Sequence, residues 1–159
     1  MRPLQQVPER MPIHQAELVG LCARREAAGV TDLFAPAKRA QVHTMEALCE
    51  RALQSGAAGV SLGPGYAPGT SLEEMEALCT MARRYGRPAA IDTRMFAMTD
   101  LNSLSEAIEL AEVTGCRMIV SHFEYQYGVG VEYKALEMLE LARARGVDMR
   151  LDSGMYKDW

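Results

Sequence analysis

The pentapeptide MEALC occurs twice in the chain, at Met45–Cys49 and again at Met75–Cys79. Glutamates keep the same interval at positions 46, 76 and 106, and glycines suited to helix C-termini follow at 56, 86, 115 and 146. Each repeat joins a helical pattern, with apolar residues at i, i+3 and i+4, to a short apolar run that predicts a strand. The sequence therefore predicts four similar βα units.

Regular alternation of helix and strand is typical of parallel βα architecture, because parallel neighbours need a crossover connection that is nearly always right-handed. We expect strands near residues 58–62, 88–93, 117–122 and 147–152. The predicted fold class is α/β: a partial, half TIM-type (β/α) barrel with about four parallel strands and helices on one face. A doubly wound sheet would need a switch in strand order, which the even repetition does not indicate.

The chain divides into two predicted segments. Residues 1–40 are expected to form an N-terminal helix, about His14 to Ala28, followed by a loop, and residues 41–159 to form the partial barrel. A closed barrel has eight units in roughly 250 residues. We therefore expect the sheet face opposite the helices to be open.

Composition narrows the classes of function. The chain has 159 residues and a formal charge of −4, and its arginines and lysines form no basic stripe, so nucleic-acid binding is not favoured. No apolar leader or membrane span is recognisable, which predicts a cytoplasmic location. The four cysteines lie far apart without a C-x-x-C pair, which favours free thiols over disulfides or a zinc knuckle.

A glycine-rich turn, GPGYAPG at residues 63–69, follows the first of the four predicted strands. Ser71 and Glu74 have the spacing of a capping box for the helix that comes next. A rigid βα turn, in which glycines take positive φ, is the favoured interpretation. A phosphate cradle is the alternative, but no Walker lysine follows and the pattern is not G-x-G-x-x-G.

Polar residues stand where the predicted strands end, at Asp92, His122 and Asp152, spaced by the same interval as the MEALC repeat. The carboxyl ends of barrel strands carry the chemistry of such enzymes. A single histidine at a strand end, taken by itself, favours a hydrogen-bonded structural role over a ligand role. Strand alternation predicts that His122 points to the barrel interior with Val120, and that Ile119 and Ser121 point to the helices.

Several stretches, taken in order, resemble one family: GAAGVSLGPGYAPG at 56–69, IDTRM at 91–95, VSH at 120–122 and RLDSGMY at 150–156. Residues 28–159 resemble the middle of the N-acyl-D-amino-acid deacylases, or D-aminoacylases, of the amidohydrolase superfamily. This resemblance implies a metal-dependent TIM barrel that hydrolyses the amide of N-acylated D-amino acids. It also implies zinc as the cofactor of the complete enzyme and a small N-acyl amino acid as its substrate.

Site residues follow from the resemblance one by one. His122 matches the family's metal-binding histidine at the fifth strand, and Tyr66, Arg94 and Asp152 become candidate substrate-binding residues. The early His-x-His and the late metal-binding aspartate of the family have no counterpart here. Many relatives also have Thr-His-Met-Arg where this chain has TRMF at 93–96. The resemblance thus implies that most of the metal site is missing.

Two classes of function remain open. In the first, the chain is a fragment of a metal-dependent amidohydrolase and is inactive alone. In the second, it is a non-catalytic half-barrel scaffold that forms a homodimer or binds a partner, such as a missing barrel half. Whether these residues catalyse any reaction is left open by the sequence.

Overall fold

The computed structural model describes residues 15–94 and 100–154. Its strands are β1 (Leu18–Gly20), β2 (Gly59–Leu62), β3 (Ala89–Ile91), β4 (Met118–Val120) and β5 (Met149–Leu151). Its helices are α1 (Leu21–Ala27), α2 (Arg39–Gln54), α3 (Leu72–Arg84), α4 (Leu101–Thr114), α5 (Phe123–Tyr127) and α6 (Glu132–Ala144).

The strands form one parallel sheet in chain order, β1-β2-β3-β4-β5. The α/β class and the four predicted strands are confirmed. The structure adds β1 as a fifth strand beside β2. The sheet is therefore one strand wider than the repeat indicates.

β1 comes from the segment in which the sequence predicts a helix from His14 to Ala28. The structure instead has a strand at Leu18–Gly20 that passes directly into α1 without a loop. Their apolar residues are continuous in sequence, so the short strand is hidden within a helical pattern. His14 itself lies outside the described residues, and the division of the chain at residue 40 stays a prediction.

The helices cover one face of the sheet. In the central strands, every second residue is buried beneath them, as with Val60, Ala89 and Met118, each fully inaccessible to solvent. α2 packs on α3, α3 on α4 and α4 on α6, which makes the helices a single layer. The opposite face carries partly exposed residues, among them Ser61, Ala90 and Ile119. No element among the described residues covers that face.

Strand register decides which side chains point to the open face. Leu62 pairs with Ile91, and Ile91 pairs with Val120, so the residues of each pair are separated by one residue less than the interval of the MEALC repeat. Val120 pairs with Leu151, a separation one residue greater than that interval. A shift of one residue exchanges the two faces of a strand. The faces predicted for Val120, Ile119 and Ser121 are wrong: Val120 faces the helices and is fully buried, and Ile119 and Ser121 are partly exposed on the open side.

The helix caps and helix ends agree with the prediction from the sequence, whereas the glycine-rich turn does not. Ser71 and Glu74 form the predicted capping box of α3, and the glycines at positions 56, 86, 115 and 146 all have positive φ. The glycines of the turn at residues 63–69 do not. Gly69 is needed for another reason, because a Cβ there would collide with the backbone of Phe34 and Ala35.

The four cysteines are free thiols, as the sequence predicts. Cys22 is partly exposed, whereas Cys49, Cys79 and Cys116 are buried. Burial raises the pKa of the Cys49 thiol to about 11. Among the described helices, none has the length and apolar character required to cross a membrane.

A buried ion pair connects α1 to the start of α3. The Arg25 guanidinium donates to the Glu74 carboxylate, and both side chains are almost completely inaccessible. Arg25 also donates to the carbonyls of Asp32 and Ala35, at 3.1 and 2.7 Å. Glu74 accepts the backbone N–H groups of Ala37 and Ser71, both at 2.9 Å. The pair thus ties the loop after α1 to the start of α3.

We predict that Glu74→Ala lowers the free energy of unfolding by about 3–5 kcal/mol, because it leaves the buried Arg25 charge without a partner. Urea denaturation measures the effect. Glu137→Ala, in an exposed pair with Lys134, is the matched control and should change stability very little. Equal effects of the two substitutions would contradict an anchoring role for the buried pair.

Candidate functional site

A cleft of about 440 Å³ opens at the carboxyl edge of the sheet, on the face without helices. Its polar lining consists of Ser61, Tyr66, Asp92, Ser121, His122 and Asp152. Apolar groups from β1 and the start of α1 form one wall, with the Cys22 thiol beside them. The cleft is therefore apolar on one side and carries its acidic and imidazole groups on the other.

Register explains why these polar groups are neighbours. Extending the observed pairing by one residue beyond each strand end places Gly63, Asp92, Ser121 and Asp152 in one row. Side chains in that row continue the open-face alternation of β3, β4 and β5. The predicted common edge for Asp92, His122 and Asp152 is confirmed, although His122 stands one residue past the row.

His122 reaches the cleft because its backbone turns. It has a φ of 51°, and no other non-glycine among the described residues has positive φ. Its N–H donates to Asp152 Oδ1 at 2.8 Å, and the next N–H, of Phe123, donates to the Asp152 carbonyl at 2.9 Å. Asp152 thus holds the turn that starts α5. A left-handed backbone at a bulky residue is costly, and such residues concentrate at functional sites.

Asp92 is the acceptor at the centre of the site. Its Oδ1 accepts a hydrogen bond from Gln126 Nε2 at 2.7 Å and lies 3.9 Å from His122 Nδ1. The carboxylate also interacts with Tyr66, a residue that is 70% exposed at the cleft. The negative charge of Asp92 and its hydrogen bond with the phenol raise the pKa of Tyr66.

Arg94 lies outside the cleft. Its guanidinium binds the Glu106 carboxylate at 2.9 Å and donates to the carbonyls of Pro68 and Thr70, at 2.8 and 2.5 Å. It therefore fastens the end of the glycine-rich turn to α4. Arg94 does not line the cleft, and its assignment to substrate binding stays a prediction.

The structure brings together three of the four predicted site residues, Tyr66, His122 and Asp152. It adds Gln126, which the sequence does not single out because α5 is a short helix within an aromatic stretch. His43 is bonded to Glu46 on α2, as an isolated helical histidine.

The side chains of the cleft can be compared with the ligands that a catalytic zinc ion needs. Zinc in catalytic sites takes three protein ligands and a water. Within residues 15–94 and 100–154, no group of three or more His, Cys, Asp or Glu side chains could hold a metal ion. His122 and Asp92 provide two donors at most, and Asp92 already accepts from Gln126. The described residues do not form a zinc site by themselves.

A one-sided parallel βα sheet with polar groups at its carboxyl edge is a section of a (β/α) barrel of the kind found in enzymes. Two comparisons show which proteins the chain is similar to. The chain is 30% identical over 152 residues to N-acyl-D-glutamate deacylase of Alcaligenes xylosoxydans xylosoxydans, covering 93% of this chain and 31% of the relative. It matches N-acyl-D-glutamate deacylase from Bordetella bronchiseptica, solved with zinc and a phosphonate inhibitor that mimics the tetrahedral intermediate, with a TM-score of 0.82 and 30% identity.

A D-aminoacylase structure, described as defining a novel subset of amidohydrolases, matches with a TM-score of 0.73 at 27% identity over 84% of this chain and 28% of that chain. The Bordetella match covers 93% of this chain and 32% of that chain. No family model matches. The chain spans about a third of the length of the relatives it matches. The relatives point to the D-aminoacylases of the amidohydrolases, which confirms the resemblance seen in the sequence.

The left-handed backbone at His122 leads to a stability prediction. We expect His122→Gly to be more stable than His122→Ala by about 1 kcal/mol, because glycine adopts positive φ without steric cost. Neither variant keeps the imidazole, so the comparison isolates the backbone, and urea denaturation measures it.

The same two substitutions at Ser121 are the control. Ser121 does not have positive φ, so alanine should be at least as stable as glycine there. An alanine at position 122 as stable as glycine would show that the turn is unstrained.

Proposed function

We propose that this chain is one section of a metal-dependent deacylase that hydrolyses the amide of N-acylated D-amino acids, and that it does not catalyse the reaction alone. The observation that carries the proposal is the position of His122 beside Asp92 in a cleft at the carboxyl edge. It is supported by the match of nearly the whole chain to part of a zinc-bound N-acyl-D-glutamate deacylase.

The chemistry of the cleft suits an acyl amino acid. Asp92 and Asp152 are acceptors, and an amide N–H is a donor that needs one. The apolar wall beside β1 offers a surface for the acyl chain or the side chain. His122 is half exposed, and its neutral form suits zinc, so it would be one metal ligand in a complete barrel.

Absence of turnover follows from the small number of donors in the cleft. A zinc-bound water with a pKa of ~7 is the nucleophile that such a metal supplies. The side chains described here are too few to hold the metal, so this section would contribute binding and one ligand. The remaining donors would come from other parts of the barrel.

A non-catalytic scaffold is the second candidate, and the uncovered sheet face favours it. Partly exposed Ala90 and Ile119 on that face, with Leu18 41% exposed at its edge, are surfaces that association would bury. Either a second copy of the chain or a missing barrel half would cover this face. In either case the cleft would need no substrate.

Cys22 offers a direct test, because it lines the cleft and is the one partly exposed thiol of the four. We predict that N-acetyl-D-glutamate slows labelling of Cys22 by a thiol reagent, with no hydrolysis detected even when zinc is added. Burial raises the pKa of Cys22, so labelling should be followed at alkaline pH.

N-acetyl-L-glutamate is the matched control and should protect less. Turnover that His122→Ala abolishes would show that the chain is active alone. No protection, together with a stable dimer by light scattering, would favour the scaffold.

A further inference from the structure

A line of buried polar side chains leads from α4 to the floor of the cleft. Thr93, Ser103 and Gln126 are at most 5% exposed, and Tyr127 is 1% exposed. Such groups are costly between a sheet and its helices unless all are hydrogen-bonded. They are bonded to one another, and the line ends at Asp92.

The hydrogen bonds have a direction. Gln126 Nε2 donates to the Asp92 carboxylate at 2.7 Å, so Gln126 Oε1 faces Thr93 and accepts its hydroxyl proton, also at 2.7 Å. Thr93 has then used its only proton, so the Tyr127 hydroxyl at 2.9 Å must donate to Thr93. Ser103 donates its proton to the Asp100 carbonyl at 2.8 Å, and its oxygen lies 2.9 Å from the Tyr127 hydroxyl.

A flipped Gln126 amide would place its carbonyl oxygen 2.7 Å from the Asp92 carboxylate, with two acceptors and no proton between them. The Asp92 charge therefore fixes the amide, and the hydroxyls behind it fix the amide plane. Desolvation by burial raises the pKa of Tyr127, while its hydrogen bonds with Ser103 and Thr93 oppose that rise. The phenol remains a donor throughout the neutral range.

We propose that Gln126 is a positioning residue, which holds the Asp92 carboxylate beside His122 and directed at the hydrogen-bond donor of a ligand in the cleft. The same oxygen, Asp92 Oδ1, accepts from Gln126 and lies 3.9 Å from His122 Nδ1. At that distance there is no hydrogen bond, but the negative charge favours a proton on Nδ1 and leaves Nε2 as the basic nitrogen.

Without the Gln126 donor, Asp92 loses its buried partner and keeps the exposed Tyr66, so it can rotate away and the bias at His122 weakens. The part concerning a ligand rests on the proposed function, since the donor in question is the amide N–H of an N-acyl amino acid. The part concerning His122 does not.

Nitrogen NMR of the imidazoles, at a pH where the rings are neutral, tests the effect of Gln126 on His122 without a ligand. The chain has three histidines, so assignment is simple. We expect mainly the Nδ1–H tautomer at His122 in the wild type and a shift toward Nε2–H in Gln126→Met, which has similar length and no donor.

Tyr127→Phe is the matched control. It removes a hydroxyl from the same line and keeps the ring that packs on Phe123, with centroids 5.1 Å apart. It should lower stability yet keep the His122 tautomer. If Gln126→Met does not fold, Gln126→Leu replaces it, since leucine also has no donor for Asp92. An unchanged tautomer in the Gln126 variants, or the same change in Tyr127→Phe, would overturn the positioning role.

Protection of Cys22 by N-acetyl-D-glutamate tests the effect of Gln126 on ligand binding. Loss of a hydrogen bond to a charged group should weaken binding by about tenfold or more in Gln126→Met, and by less in Tyr127→Phe. If the wild type binds no ligand but the tautomer responds, the proposed function fails and the positioning role stands. If the wild type binds and the tautomer does not respond, the positioning role alone fails.

Discussion

Parallel strands joined on one side of a sheet must all end at the same edge. Each crossover returns the chain to the starting edge, so every strand points the same way and its last residue meets the loop of its neighbour. The helices then bury one face, and the residues just past the strand ends share the other. Asp92, Ser121 and Asp152 lie side by side for this reason, although a whole helix-and-strand unit separates each from the next along the chain.

The sequence predicts the elements well because each rests on local chemistry. Repeated apolar periods define the helices, and glycine is favoured at a helix end wherever φ is positive. Which face of β4 is buried could not be predicted in the same way. The repeat is even on average, but the strand pairing falls one residue short of it at β3 and β4 and one residue beyond it at β5. Only tertiary pairing fixes such single-residue differences, so a regular repeat predicts topology more reliably than it predicts the side chains of a site.

β1 and Gln126 could not be predicted for a related reason: both depend on distant partners. The three residues of β1 form a strand only because β2 lies beside them. Gln126 of α5 has its hydrogen-bond partners only because Asp92 and Thr93 lie beneath that helix. Arg25 and Glu74 are 49 residues apart in sequence, so their pairing could not be predicted, although the capping role of Glu74 could. Local propensity carries no information about such contacts.

Several features that cost stability lie near the carboxyl edge of the sheet. Among the described residues, the buried polar side chains of Thr70, Glu74, Thr93 and Ser103 belong to the loops and helix starts after the strands, whereas Arg24 and Arg25 lie in the last turn of α1 and Gln126 lies within α5. The one non-glycine with positive φ among the described residues, His122, lies near that edge too. Apolar residues of similar volume would fill such positions at less cost. The strain at His122 and the buried polar line that ends at Asp92 are expected where the arrangement of side chains matters more than stability.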